Sequence, residues 1–241
     1  MYVVGADGCK AGWLAVKLDR EGGGEVNVFA DIGQLWESWG SAALILIDVP
    51  VGLPDAQMPE RQCDVDARIR IGPRRSSVFP PPCRPTLDAT SYKDACRINR
   101  ETNGRGLSLP AYGILPKIRE VDRFLGGNVE ARSRIREVHP EVCFWAFNRK
   151  QPLTTPKKTP TGWQERFNLL ESIHGDTAVI MEMAAEEFPR RIVAWDDMLD
   201  AIAAALTAAC ARYGRMTLKS IPETACRDAI GLPMEMVFAL A

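Results

Sequence analysis

Histidine is scarce in this chain: His139 and His174 are the only two among 241 residues. The seven cysteines (Cys9, Cys63, Cys83, Cys96, Cys143, Cys210, Cys226) are never spaced Cys-x-x-Cys, which argues against a zinc site. Their odd number and scatter also argue against a disulfide framework and for a reducing compartment. No apolar run approaches the ~20 residues a membrane span needs. Met1 leads straight into a short apolar stretch, without the basic region and cleavage site of a secretory leader. A soluble cytoplasmic protein with no membrane partner is therefore expected. The net charge is only −1, so bulk charge selects no partner.

What is present is an ordinary globular composition, 46% hydrophobic and 25% charged. A chain of this length buries a full core, and residues 1–241 read as one domain. The charge is unevenly placed, however. Between residues 61 and 136 there are sixteen Lys or Arg against eight Asp or Glu, so the remainder is net acidic. A basic block beside acidic strand ends suits a polyanionic substrate, although a solvated helical surface has the same signature.

Tyr2-Val3-Val4-Gly5-Ala6-Asp7-Gly8 reads as a short apolar strand ending in a carboxylate and a glycine-loosened turn. Ala43 to Asp48 repeats the pattern, and the run Leu44 to Ile47 is apolar at every position, as in a strand covered on both faces. Between them, Gly12 to Leu18 and Val26 to Phe29 alternate as strands around the flexible turn Glu21 to Glu25. Asp31 caps a short helix carrying Leu35, Trp36 and Trp39. The order β-β-β-α-β implies a meander whose right-handed return lays the fourth strand parallel to the first. Asp7 and Asp48 then end side by side.

After Pro50 the texture changes. Prolines crowd the segment around the loop Gly72 to Pro80, and polar helical stretches are expected over about 60–71, 92–101 and 113–124. Residues 56–130 read as a helical lobe inserted in the domain, since a structureless loop of that length is improbable in a compact fold. A strand is expected over Ile135 to His139, stopped by Pro140, and then a basic loop over 150–161. Helices follow at about 163–172 and 178–187, then a strong one from Trp195 through the alanine-rich Ala201 to Cys210. A strand at Met234 to Leu240 closes an appended tail.

Two adjacent strand-end carboxylates repel one another unless a cation lies between them. Asp197 and Asp200 lie three apart on the late helix and share a face. Asp200 sits inside the alanine run, where an unpaired carboxylate is costly, and either a metal or an arginine from the basic lobe would pair with it. Asp7, Asp48 and Asp200 together make an oxygen-only ligand set suited to Mg²⁺ or Mn²⁺. Glu137 is a further candidate, with a salt-bridged strand end as its plain alternative. Asp197 has helix capping as its alternative. Arg74, Arg75, Ser76 and Ser77 form a loop able to donate to phosphate oxygens, as could Lys10, Lys157 and Lys158. His139 invites a general-base role, but a lone strand histidine is more often structural; His174 reads as surface.

These motifs carry a resemblance. The β-β-β-α-β opening with acids ending strands one and four resembles the RNase H-like superfamily. The late Asp197-x-x-Asp200-Ala201 is similar to its Holliday-junction-resolvase branch. More closely, Asp7-Gly8 with Gly12-Trp13, Ile47 to Pro50, Arg75 to Phe79, Glu137 to Glu141 and Asp197 to Ala201 look like the domain-of-unknown-function 429 family, over nearly the whole chain. The resemblance implies an α/β fold with a mixed five-stranded sheet flanked by helices. It also implies a metal-dependent nuclease acting on DNA or RNA, with Asp7, Asp48 and Asp200 as metal ligands and Glu137 and Asp197 as further catalytic residues. Resolvase-like enzymes work as dimers, so it also brings a homodimer into view. The pattern departs from the RNase H branch proper, whose first helix supplies a Glu; here that helix offers Glu37, flanked by Trp36 and Trp39.

Two other readings compete. A kinase-like phosphotransferase would need a second β-β-β-α-β copy, which the chain lacks. A non-catalytic module binding nucleic acid or a small ligand would keep the fold without depending on the acids.

Overall fold

The computed structural model describes residues 1–241. Strands β1 (Tyr2–Cys9), β2 (Gly12–Asp19) and β3 (Gly24–Phe29) form the meander, and helix α1 (Ile32–Trp39) returns the chain to β4 (Ile45–Ile47). Asp31 caps α1 by accepting the Gln34 N–H at 2.8 Å. Helices α2 (Gln62–Ile71), α3 (Tyr92–Asn103), α4 (Leu109–Gly113), α5 (Leu115–Gly127) and α6 (Val129–Arg134) precede β5 (Ile135–Glu137). Then come α7 (Pro140–Phe147), α8 (Pro160–Ile173), α9 (Thr177–Glu187), α10 (Trp195–Arg212) and the hairpin β6 (Thr217–Arg227) and β7 (Pro233–Leu240). No helix is long and apolar enough to cross a membrane.

The main sheet has the order β3-β2-β1-β4-β5. β1 pairs antiparallel with β2 and parallel with β4; β4 pairs parallel with β5. This is the mixed five-stranded α/β sheet expected from the sequence and consistent with an RNase H-like core. Side chains alternate across it with period two. Val3, Leu14, Val16 and Leu46 meet α10, with Phe144 of α7, Leu170 of α8 and Ile180 of α9 in the same core. Val4, Ala6, Ala15, Ile45 and Ile47 turn to the other face and meet Ile32 and Leu35 of α1 and Ile118, Val121 and Leu125 of α5.

The segment 56–130 holds α2 to α5 and two 3-10 turns, and it packs into the domain. Its α5 is part of the second layer over the sheet, whereas α2 packs through Cys63, Ala67 and Ile71 against Met234, Met236 and Phe238 of β7 and Trp145 of α7. Only α3 and α4 keep a small core of their own, around Ala95, Leu107 and Ala111. The loop Gly72 to Pro80 contains a 3-10 turn over Gly72–Ser77.

Two elements differ from expectation. Pro140 does not merely stop β5; it opens α7, where a missing N–H costs nothing because that position has no helical partner. The tail holds a second strand, β6, unanticipated because its polar composition lacks an apolar face and Pro222 interrupts it. It survives by pairing with the apolar β7.

The contact that fixes the site is between α10 and β1. A Cβ at Gly5 would lie 2.0 Å from the Ala205 nitrogen and 2.5 Å from the Ala201 oxygen. Glycine on the strand and alanine on the helix therefore bring two backbones together. Ala201, Ala203, Ala204, Ala205 and Ala208 are all fully buried there.

Candidate metal and substrate site

Period two carries Val3, Gly5 and Asp7 to the α10 side of β1 and Leu46 and Asp48 to the same side of β4. The β1–β4 register pairs Ala6 with Ile47, so the next residues, Asp7 and Asp48, come out side by side. The Asp48 N–H donates to the Ala6 carbonyl at 3.0 Å, extending the ladder past the strand end. From above, α10 lowers Asp200, 2% exposed, onto the pair. One carboxylate oxygen from each of Asp7, Asp48 and Asp200 lies within 4.8 Å of the others.

Burial, and then the neighbouring Asp48 and Asp200, holds the Asp7 carboxyl well above the usual carboxylate range. The Asp48 carboxyl is pushed up to about 8 by burial and by Asp200. Burial and mutual repulsion therefore favour a protonated carboxyl over full ionisation of the cluster when no metal ion is bound. Asp7 Oδ1 accepts only the Gly8 N–H, at 2.7 Å, and no hydrogen bond reaches the Asp48 carboxylate. Carboxylates so grouped and so little engaged fit a hard divalent cation.

One protein cation is already present. Lys157 Nζ contacts Asp200 Oδ2 and lies 3.9 Å from Asp196. Asp200, and more distantly Asp7 and Asp48, outweigh the cost of burial and hold the ammonium above its ordinary pKa. The loop that carries Lys157 is braced from beneath. Fully buried Arg166 donates to the Thr155 carbonyl at 3.0 Å and forms a bidentate pair with Glu141 at 2.6 and 2.8 Å.

Glu137 does not join the cluster. It occupies the row Ala6–Ile47–Glu137, one residue out of step with Asp7 and Asp48, so it lines the wall of the cleft rather than joining the three carboxylates. There it pairs with buried Arg61 and accepts the Val51 N–H at 2.7 Å. Burial nevertheless pushes its carboxyl up to about 8 against the pull of Arg61. Asp197 lines the cleft but also accepts the Ala194 N–H at 3.2 Å, so it caps α10 as well. Burial raises it to about 6. Glu37 is exposed on α1, away from the site.

The cluster forms the floor of a cleft of about 710 Å³. Lys10, Arg74, Ser77, Lys157 and Lys158 line it, but exposed Arg75 and Ser76 do not. His139 also lines the cleft and is held by two contacts: Nδ1 accepts the Glu141 N–H at 3.2 Å at the start of α7, and Nε2 lies 3.4 Å from the Ser77 carbonyl. Burial lowers its pKa.

Sequence reading missed several lining residues. Asp64 and Lys117 belong to helices whose facing cannot be judged without the tertiary fold, and Phe79 closes the Arg75–Phe79 motif without a chemical signal of its own. Lys117 stacks over Trp13, 4.8 Å from the ring centroid, and pairs with Glu120 at 3.3 Å. Glu141 lies within a motif recognised from sequence, but its partner Arg166 is invisible there.

Searches of curated proteins and of solved structures returned no match. A family model described as "Protein of unknown function (DUF429)" matches residues 5–225, which include every carboxylate of the cluster, and the chain belongs to that family.

Proposed function

We propose that this protein is a divalent-metal-dependent nuclease that hydrolyses phosphodiester bonds of DNA or RNA. The observation that carries the reading is the convergence of Asp7, Asp48 and Asp200 within 4.8 Å at one end of the sheet. Mg²⁺ or Mn²⁺ held by these three would neutralise phosphate charge and act as a Lewis acid toward the attacking water. Around the acidic floor, Lys10, Arg74, Lys117 and Lys158 present cations along the cleft, suited to phosphate oxygens on either side of the reacting bond. Asp197 and Glu137 support the floor, the first by fixing the start of α10 and the second by anchoring Val51 and Arg61 beneath it.

The test is calorimetric titration of Mn²⁺ into the wild type and into Asp7→Asn with Asp48→Asn. A panel of labelled single-stranded, duplex and junction substrates follows. Saturable binding and cleavage, both lost in the double variant, are expected; cleavage that survives it would sink the proposal. Sedimentation of the same samples, with and without DNA, examines the homodimer that the resolvase likeness suggests.

The Lys157–Asp200 contact favours a second reading, a module that binds nucleic acid or a small ligand without cutting it. A built-in ammonium partly neutralises the acids without any metal. On this reading ligand binding survives neutralisation of Asp7 and Asp48.

A further inference from the structure

We infer that Lys157 is the resident second cation of the carboxylate cluster, so that the site takes one divalent ion rather than two. The inference rests on the metal site proposed above and concerns its stoichiometry. Two-ion phosphodiesterases place their metals about 3.5–4 Å apart, with carboxylates shared between them. Here Asp200 Oδ2 is already committed to Lys157 Nζ, while the other oxygen of Asp200 accepts no hydrogen bond. Asp7 Oδ1 accepts from Gly8, and the Asp48 carboxylate has no hydrogen-bond donor. The uncommitted oxygens are therefore those of Asp48, the second oxygen of Asp7 and the second oxygen of Asp200, while the ammonium occupies Asp200 Oδ2.

Charge gives the same count. One divalent ion and one ammonium balance three carboxylates. A second divalent ion would leave a buried excess of positive charge, which a low-dielectric interior disfavours. Asp196, 3.9 Å from Nζ, and Asp197, which lines the cleft and caps α10, are half-buried and screened by solvent, so they offset this only in part.

Lys157 is also not a side chain that has merely fallen into the site. Its turn is fastened at three points. Thr159 N–H donates to the Pro156 carbonyl at 3.0 Å, and Thr159 Oγ1 caps α8 by accepting the Gly162 N–H at 3.1 Å. Arg166, held by Glu141, fixes the Thr155 carbonyl. Gly162 is packed so closely that a Cβ there would lie 2.1 Å from the Pro156 oxygen. A surface lysine needs no such mounting; a lysine that substitutes for a metal ion does.

The experiment counts ions in the full chain by Mn²⁺ calorimetry, with and without inorganic phosphate, beside Lys157→Met and Lys157→Arg. Electron paramagnetic resonance of the saturated samples reports whether two Mn²⁺ ions are spin-coupled. One uncoupled ion is expected in the wild type and in Lys157→Arg, and two coupled ions in Lys157→Met. Two ions in the wild type overturn the inference, and so does a single ion in folded Lys157→Met. Should Lys157→Met fail to fold, the wild-type count and its spectrum still decide. Absence of Mn²⁺ binding from every sample removes the metal site itself, and with it both proposals, an outcome distinct from a wrong count.

Discussion

Gly5 and Ala205 lie in backbone contact: a methyl group on Gly5 would come within 2.0 Å of the Ala205 nitrogen. That closeness lets Asp200 of the helix reach Asp7, two residues further along the same face of the strand. Packing and chemistry therefore depend on one missing side chain.

Gly5→Ala is expected to push α10 away from β1. Overpacking a tight interior costs about 1–3 kcal/mol, and contact with backbone on the far side places this variant at the upper end, about 3 kcal/mol. Urea denaturation measures the loss. Mn²⁺ affinity in the folded fraction should fall as well, because Asp200 moves with its helix; unchanged stability would show that the helix yields without strain.

The raised carboxyls make the metal-free protein sensitive to alkali. The Asp48 pKa rises from the ordinary 3.8 to about 8 in the folded state, so the native protein binds more protons than the unfolded chain between those values. Stability should therefore fall as pH climbs through that window, once other groups are accounted for. Asp48→Asn is expected to flatten the slope and to raise Tm most at the alkaline end. Saturating Mn²⁺ should flatten it too, because the cation takes the place of the proton. A melting series across the window, with and without Mn²⁺, measures both. A slope that the substitution leaves untouched would mean that Asp48 ionises normally.

Glu137 separates a ligand from a support. Because it stands outside the three-carboxylate cluster and holds Arg61, Glu137→Gln should leave the number of bound Mn²⁺ ions unchanged while destabilising the fold. Breaking a buried ion pair costs on the order of 3–5 kcal/mol, and the amide retains part of the hydrogen bonding, so about 3 kcal/mol is expected. Calorimetry and denaturation on the same sample separate the two effects. Loss of an ion would return Glu137 to the ligand set.

The Arg166–Glu141 pair offers a remote handle on Lys157. Removing Arg166 leaves buried Glu141 with only the longer contact to Arg74 Nε at 3.7 Å, so Arg166→Ala should cost about 3 kcal/mol, the low end for a broken buried pair. Gly162→Ala is the complementary variant, expected to displace the Pro156–Lys157 turn at an overpacking cost of about 3 kcal/mol without leaving an unpaired charge. Tryptophan fluorescence reports the movement, since Trp163 lies 5.3 Å from Trp195 between their ring centroids. An unchanged spectrum in folded Gly162→Ala would show that the turn does not depend on that contact.

Much of this was legible beforehand, and for local reasons. The apolar run before Asp48 and the alternation after Asp7 identify strands because side-chain period and strand period coincide. The short return through α1 requires the two acids to emerge together. Asp200 stands out because a carboxylate does not belong in an alanine run unless something meets it. Glu137 was harder: its row, one residue out of step with Asp48, depends on the β4–β5 register, which no local pattern encodes. Pro140 read as a stop because proline ends strands, yet it starts helices equally well, and His139 decides between them by capping α7.

By itself, then, the sequence determined the sheet, the strand-end acids and the helix that returns above them, since each follows from patterns repeating within a few residues. The tertiary structure alone decided which charges pair. Lys157 with Asp200, Arg166 with Glu141 and Arg61 with Glu137 are separated by 43, 25 and 76 residues. Coulomb energy depends on distance through space and on burial, and neither is written in the order of the chain.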